Sequence, residues 1–173
     1  MTTITVAYMF YSGISIEPNK RGPTGVVGSC LDMFRSVRTM GVRAIQAFTR
    51  SDITHVVVGV DDGSGMVYCN WSSKRGTQWT SRSPRITPVR VVLETGTVED
   101  IYEMDIVLPY GEKSTWYMVL LWYLTGFPRN TISCSMVVHR VRRVMGLTTK
   151  ERSPGGIYRE LRRKAVDQSS ASR

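Results

Sequence analysis

The stretch that decides the fold is ITHVVVGVDDGSGMVYCNW, residues 53–71. Its first part, residues 53–60, is rich in valine and other β-branched side chains and predicts a strand. Residues 61–65 hold two aspartates and two glycines, a composition typical of a turn. Residues 66–71 predict the returning strand. The segment is therefore a β-hairpin, around which a larger antiparallel sheet can form.

Further strands are predicted on either side of the hairpin. Residues 2–11 alternate β-branched and aromatic side chains, and residues 86–93 and 101–108 contain the runs VRVVL and IYEMDIVL. The polar segment 72–84 is predicted to be a loop. Together these segments indicate a meander of four or five antiparallel strands.

Helical patterns dominate the last third of the chain. Residues 114–125 include WYMVLLWYL, which is apolar nearly all round and predicts an interior helix. A second helix is predicted over residues 132–145, and a third opens at Ser153-Pro154. Helical spacing is also found at residues 30–37 and 42–48, so the order is strand, helix, sheet, then helices, and helices do not alternate with strands. The sequence therefore predicts an α+β fold and not a doubly wound one.

The length of 173 residues suits one domain, predicted over residues 1–164 with a disordered polar tail over residues 165–173. The apolar fraction of 42% is ordinary for a globular protein. The longest apolar stretch, residues 116–124, has about half the length that spans a bilayer. No basic and apolar leader stands at the start. We expect a cytoplasmic protein without a membrane span.

Cysteine and histidine usage argues against a bound metal. The three cysteines cannot all pair, and the chain lacks the CxxC and Cys/His spacings of zinc sites. We therefore expect no cofactor, and we expect reduced thiols that are available for reaction.

The net charge of +9 is concentrated at one end of the chain. Residues 139–173 contain ten lysines and arginines against three acids, so the rest of the chain is close to neutral. Such an end is either a solvated, solubilising face or a surface that binds nucleic acid through counterion release. The residues that would make nucleic-acid contacts are Arg140, Arg142, Arg143, Arg159, Arg162, Arg163 and Lys164.

Cys134 is the most suggestive position for chemistry. It lies near the predicted start of the second helix, where Thr131 or Ser133 can cap the first turn and unpaired backbone N–H groups favour a thiolate. His55, near the start of the first hairpin strand, can accept and return a proton at neutral pH. On spacing alone, each of these two residues is more often a plain core residue. His139, amid arginines, is expected at the surface and not as the base.

A thiol–imidazole pair needs a third group to orient the ring. The returning hairpin strand offers Asn70, whose amide oxygen can accept the imidazole N–H. Cys69 beside it faces the other way, and Ser72 is a further candidate. Strand register decides between them.

Two blocks of the chain resemble papain-like proteins of the NlpC type. VRAIQAFTRSDITHVVVGVDDGSGMVYCNW, residues 42–71, is similar to the helix–strand–hairpin block that carries their histidine. RNTISCSMVVHRVRRVMGL, residues 129–147, followed by SPGGIYREL, is similar to the block that carries their nucleophilic cysteine. The histidine comes 79 positions before the cysteine, which is the order of the circularly permuted branch. The chain is also similar to short proteins encoded by tailed phages.

The resemblance covers residues 40–164 and implies a circularly permuted papain-like core with Cys134 as nucleophile and His55 as base. The third polar residue maps to Cys69–Asn70, where the family commonly has His, Glu or Gln. The implied function is a thiol hydrolase, a peptidase, amidase or acyltransferase, acting on an amide, ester or thioester. Its substrate would be a peptide, acyl or isopeptide group, met in the host cytoplasm or the virion if the source is a phage.

Two alternatives from other classes stay open. One is a binding protein that keeps the fold without the chemistry and acts on a host factor. The other is a basic nucleic-acid-binding module that uses the arginines of the C-terminal region.

Overall fold

Five strands and three helices make up the described part of the molecule, an α+β fold. The structure, a computed structural model, describes residues 1–12, 46–47, 49–72, 76–99, 111, 113–127 and 132–171. The strands are β1 (Thr2–Ser12), β2 (Ile53–Asp61), β3 (Val67–Ser72), β4 (Gly76–Thr80) and β5 (Arg90–Val98). The helices are α1 (Trp116–Thr125), α2 (Cys134–Val144) and α3 (Pro154–Ala171).

The strands form one antiparallel sheet in the order β4-β3-β2-β1-β5. The predicted hairpin of β2 and β3 lies at its centre, and its turn is stabilised by Asp61, whose carboxylate accepts the N–H of Gly63 at 2.8 Å. The strands β1 to β4 form a meander, each beside the next. The strand β5 then returns to the far side of β1, so β1 and β2 are both interior strands.

The strand β4 corrects the sequence-based prediction, which placed residues 72–84 in a loop. Gly76–Thr80 pairs with β3 instead, with Tyr68 opposite Thr80 and Trp71 opposite Thr77. It is an edge strand of the described sheet, where a short polar sequence is usual because only one side must pair. The polar composition that suggested a loop therefore fits this strand equally well.

The strand β5 begins later than the predicted strand over residues 86–93. Pro88 has no N–H to donate to a ladder, so regular pairing with β1 starts only after it. The first contact is the N–H of Val89, which donates to the carbonyl oxygen of Phe10 at 2.8 Å. The other predicted strand, residues 101–108, lies outside the described residues.

Helices α2 and α3 cover one face of the sheet and bury the main core. Helix α2 contributes Val137, Val138 and Val141, each at most 1% exposed, and α3 contributes Ile157 and Leu161. Full burial of such a side chain contributes about 1.5–3 kcal/mol relative to leaving it in water. This packing holds α2 against β2 and β3 and thereby fixes the position of its first residue.

One charged side chain is buried among the apolar ones. Arg142 of α2 is fully buried, and its Nη2 is 3.1 Å from Oε1 of Glu94 in β5. Its Nη1 is 3.9 Å from Oε1 of Glu160 in α3. The hydroxyl of Tyr8 donates to Glu94 at 2.8 Å, which links β1 to the same group. Arg142 was counted among the candidate nucleic-acid contacts, and its burial removes it from that surface.

Helix α1 corrects a second prediction, that WYMVLLWYL is an interior helix. Val119 and Trp122 are buried, but Tyr117, Leu121 and Leu124 are 57%, 44% and 46% exposed. The helix lies at the margin of the core, where one face packs on the start of α2. An all-apolar sequence does not show which face a helix buries, and only packing decides that.

Helix α3 differs from the predicted boundary as well. It continues to Ala171, so residues 165–171, expected as part of a disordered tail, are helical. A helix that is already nucleated and packed adds a hydrogen bond for each residue it extends, which offsets the cost of ordering polar residues. Residues 172–173 lie outside the described part. None of the described helices has both the length and the apolar character needed to cross a membrane.

Candidate active site

Cys134 is the first residue of α2. The preceding residue, Ser133, is the helix cap, as the sequence predicts: its Oγ accepts the N–H of Met136 at 3.2 Å. The same Oγ lies 3.0 Å from the Oγ of Ser135. The other predicted cap, Thr131, lies outside the described residues. The first turn of a helix leaves backbone N–H groups unpaired and carries partial positive charge, so a thiolate is favoured there.

The sheet contributes a backbone donor to the sulfur. Strand β2 pairs with β3 over residues Val58, Gly59 and Val60. Closer to the start of β2, the N–H of Val56 hydrogen-bonds the sulfur of Cys134 and lowers its pKa. This N–H would otherwise need an acceptor in a neighbouring strand, and it donates to the thiolate instead.

His55 lies between Cys134 and Asn70. Its Nε2 is 3.0 Å from the Oδ1 of Asn70, and its ring also hydrogen-bonds the sulfur of Cys134. An amide oxygen only accepts, so Nε2 carries the proton and Nδ1 is the ring nitrogen left for the sulfur. The ring of Tyr11 lies beside the imidazole, with 6.2 Å between ring centres. The structure therefore brings the three predicted side chains together in the order thiol, imidazole, amide.

The charges of Cys134 and His55 stabilise each other. Burial by itself raises the pKa of the Cys134 thiol, because a thiolate loses its water. The adjacent His55 cation, its hydrogen bond and the N–H of Val56 oppose this effect and hold the pKa of Cys134 below its ordinary value. Burial is the largest single effect and lowers the pKa of His55, but the charge of Cys134 and the hydrogen bonds to Cys134 and Asn70 together outweigh it and leave that pKa raised. Both shifts favour the thiolate–imidazolium form of the pair.

Tyr123 of α1 is a fourth group at this site, and the sequence analysis missed it. Its hydroxyl is 3.9 Å from the Sγ of Cys134 and also hydrogen-bonds Ser133 and Ser135. Burial and the negative sulfur raise the pKa of Tyr123 well above its ordinary value, so the hydroxyl stays protonated and can donate. The signal in the sequence was a tyrosine within an apolar helical run, which also contains Tyr117, since a buried tyrosine usually finds a polar partner.

Trp71, the residue after Asn70, carries an unused donor. Its ring packs against the cluster that contains Cys134 and also against the one that contains Trp122. Its buried Nε1–H has no acceptor within the part of the chain that the structure describes. An unpaired buried donor costs about 1–3 kcal/mol, so this N–H would gain from any acceptor that reaches it.

The other residues that the sequence offered for this chemistry are Cys69, His139 and Ser72. Cys69 is buried in the main core, and burial raises its pKa to about 12, which makes it an unreactive thiol. His139 is half-buried, not exposed as expected; it packs edge-on against Trp122 and lies 2.7 Å from the carbonyl oxygen of Glu151. The side chain of Ser72 lies outside the described residues.

No protein-family model, curated protein or solved structure matches this chain. The family resemblance in the sequence therefore stays a prediction, and function has to be argued from the site itself.

Proposed function

We propose that this protein is a cysteine hydrolase or acyltransferase with a circularly permuted papain-like core. The observation that carries the proposal is the position of His55, which contacts the thiol of Cys134 on one side and the amide of Asn70 on the other. Catalysis by a thiol needs these three parts: a nucleophile, a base, and a group that orients the base. The histidine-bearing hairpin precedes the cysteine helix in the chain, which is the order expected of the permuted core.

The first half of the reaction acylates the enzyme. His55 already holds the proton of Cys134, and the thiolate attacks the carbonyl carbon of an amide, ester or thioester. The electron pair of the C=O bond moves to oxygen, and this oxyanion accepts hydrogen bonds from backbone N–H groups at the start of α2. The Nε1–H of Trp71 is a further donor of the required kind. When the intermediate collapses, His55 gives its proton to the leaving group, and the acyl group remains on the sulfur.

The second half releases the acyl group. Neutral His55 accepts a proton through Nδ1 from water, or from an acceptor alcohol or amine, and the oxygen or nitrogen attacks the thioester. The sulfur of Cys134 then leaves as a thiolate. The hydroxyl of Tyr123 and the N–H of Val56 stabilise the negative charge on that leaving sulfur. Asn70 holds Nε2–H in place, so that the same ring nitrogen faces the sulfur in both halves.

An activated ester tests this proposal. We expect p-nitrophenyl acetate at pH 6.5 to acetylate Cys134, seen as a mass increase on the peptide that contains it, and to be turned over beyond one equivalent. Loss of the base in His55→Ala should slow acylation by about 100-fold or more, the usual size of a general-base contribution. Cys69→Ala is the matched control, because this buried thiol should contribute nothing. Acetylation of Cys69 at a similar rate, or an unchanged rate in His55→Ala, would contradict the proposal.

A further inference from the structure

A second cleft lies where β2 begins, beside the first turns of α3. Its volume is about 280 Å³, and no residue of the Cys134 site lines it. Four of its lining residues are arginines, whereas only one is acidic. The arginines are Arg50, Arg90, Arg159 and Arg162, and the acid is Asp52.

Within the described chain, Asp52 offsets only part of the positive charge of the four cleft arginines. Among the described residues, the basic side chains that form ion pairs are Arg142 and Lys164. None of the four cleft arginines is among them. Arg90 donates a hydrogen bond to the carbonyl oxygen of Val89 at 2.7 Å, which leaves its charge in place. All four side chains are exposed and so can reach into the cleft. Like charges around one cavity repel one another, and a bound anion relieves that repulsion.

Arg50 occupies a position that usually belongs to glycine. Its φ is 48°, and it is the one non-glycine residue with a left-handed backbone in the described part of the chain. Its N–H lies 3.4 Å from the carbonyl oxygen of Ala47, and the N–H of Ser51 lies 3.1 Å from that of Gln46. This pair of bonds is the helix-ending motif whose left-handed position favours glycine, because a Cβ is strained there. Strained positions of this kind cluster at ligand-binding and other functional sites, and Arg50 lines this cleft.

The two sides of the cleft are held in a fixed relation. Arg159 and Arg162 are three residues apart on α3, so their side chains leave the same face of the helix. The start of α3 packs closely on the segment that carries Arg50, since a Cβ on Gly155 would collide with the side chain of Ser51. The arginines of the loop and of the helix therefore face a common space.

We propose that the four arginines around this cleft bind a compact ligand that carries two or more phosphoryl groups. The planar guanidinium fork matches the oxygens of a phosphoryl group bidentately, and several forks around one cavity suit a ligand with several such oxygens. The cleft has the volume of about nine water molecules at ~30 Å³ each. That space accommodates a diphosphate and lies just below the range of ~300–1,000 Å³ typical of drug-sized ligands. The inference does not depend on the chemistry of Cys134.

Calorimetric titration of the full chain with inorganic diphosphate tests the proposal at constant ionic strength. We expect saturable binding of one equivalent, unaffected by Cys134→Ala. The double variant Arg159→Gln, Arg162→Gln should weaken binding by about tenfold or more, because each loses a charge-assisted hydrogen bond. Arg162→Gln alone should also weaken binding, and Arg163→Gln is its matched control: each removes one positive charge, but the exposed Arg163 does not line the cleft. Sulfate at the same ionic strength should bind more weakly than diphosphate.

Three results would overturn the proposal. One is the absence of saturable diphosphate binding. Another is an equal loss in Arg163→Gln, which would show a diffuse attraction to the basic end of the chain. The third is tight, steeply salt-dependent binding of a single-stranded oligonucleotide with no binding of diphosphate, which would assign this surface to an extended nucleic acid.

Arg50→Gly separates a structural from a ligand-binding role for this residue. Glycine relieves the left-handed strain, so we expect the variant to melt about 2–4 °C higher while it binds diphosphate more weakly. If Arg50 serves only to end the helix, its replacement by glycine should lower neither the affinity for diphosphate nor the stability of the protein. A higher melting temperature with unchanged affinity would therefore remove Arg50 from the site.

Discussion

A thiolate at Cys134 needs several partners because the residue is only 3% exposed. An ion taken out of water loses several kcal/mol of solvation, which one opposite charge seldom replaces in full. The described structure supplies the His55 cation, the N–H of Val56 and the hydroxyl of Tyr123. Among the described residues the buried Cys69 has no such partners, and burial raises its pKa to about 12.

At the same scale, Asn70 is predicted to act as a positioning residue for His55. Its oxygen accepts the Nε2–H and raises the pKa of the ring, so Asn70→Ala should lower the pKa of His55. Asn70→Asp, which restores an acceptor and adds a negative charge, should raise it again. The measurement is an NMR titration of the imidazole signals, which are simple to assign because His55 and His139 are the only histidines.

The control for this titration is Gln78→Ala. Gln78 is the amide opposite Asn70 in β4, and its loss should leave the His55 titration where it is in the wild type. If Asn70→Ala and Gln78→Ala give the same titration curve as the wild type, Asn70 does not hold the ring.

At the scale of elements, the first turn of α2 links stability to reactivity. Ser133 caps α2 and Ser153 makes a similar bond in α3, where its Oγ accepts the N–H of Gly156 at 3.2 Å. Replacing either serine by alanine should cost about 1 kcal/mol of unfolding free energy, measured by denaturant titration. Only Ser133→Ala should also slow the alkylation of Cys134 at neutral pH, because only this cap lies next to the thiolate. Equal alkylation rates in the two variants would contradict a role for the α2 terminus in activating the sulfur.

Elements defined by local signals could be predicted from the sequence. The β2–β3 hairpin carries its turn residues at Asp61 and Gly63, and α3 begins at the predicted proline, Pro154. The strand β4 could not be predicted, because an edge strand needs no apolar pattern. The buried face of α1 could not be read either, because every face of that sequence is apolar and only contact with α2 selects one.

At the scale of the whole molecule, the candidate site depends on four separate elements that meet, α1, α2, β2 and β3. The residue types at Cys134 and His55 were evident from the sequence, and so was the cap at Ser133. The choice of Asn70 depended on register, and the N–H of Val56 depended on where the β2–β3 pairing stops. The contribution of Tyr123 comes from a helix whose position the sequence did not give. Long-range contacts of this kind follow from packing and not from any local pattern.

The placement of the charged side chains could likewise not be predicted from the sequence alone. The basic C-terminal region looks uniform in the sequence, but Arg142 is fully buried with Glu94, whereas Arg159 and Arg162 line a cleft. One charge run therefore contains a structural arginine and two that face a cavity. The nucleic-acid alternative therefore loses Arg142 from its set of surface contacts.

The central claim is that His55 and Cys134 form a thiolate–imidazolium pair, and the rate of Cys134 alkylation by iodoacetamide against pH tests it most directly. Peptide mass spectrometry separates Cys134 from the buried Cys69, which serves as an unreactive internal control. In the wild type the pKa of Cys134 is lowered, so alkylation should persist well below the free-thiol value of about 8.5. In His55→Ala the neighbouring cation is lost, so burial should raise the pKa of Cys134. The pH profile of alkylation should therefore move to higher pH. A Cys134 that titrates at or above about 8.5 and does not respond to loss of His55 would contradict the account.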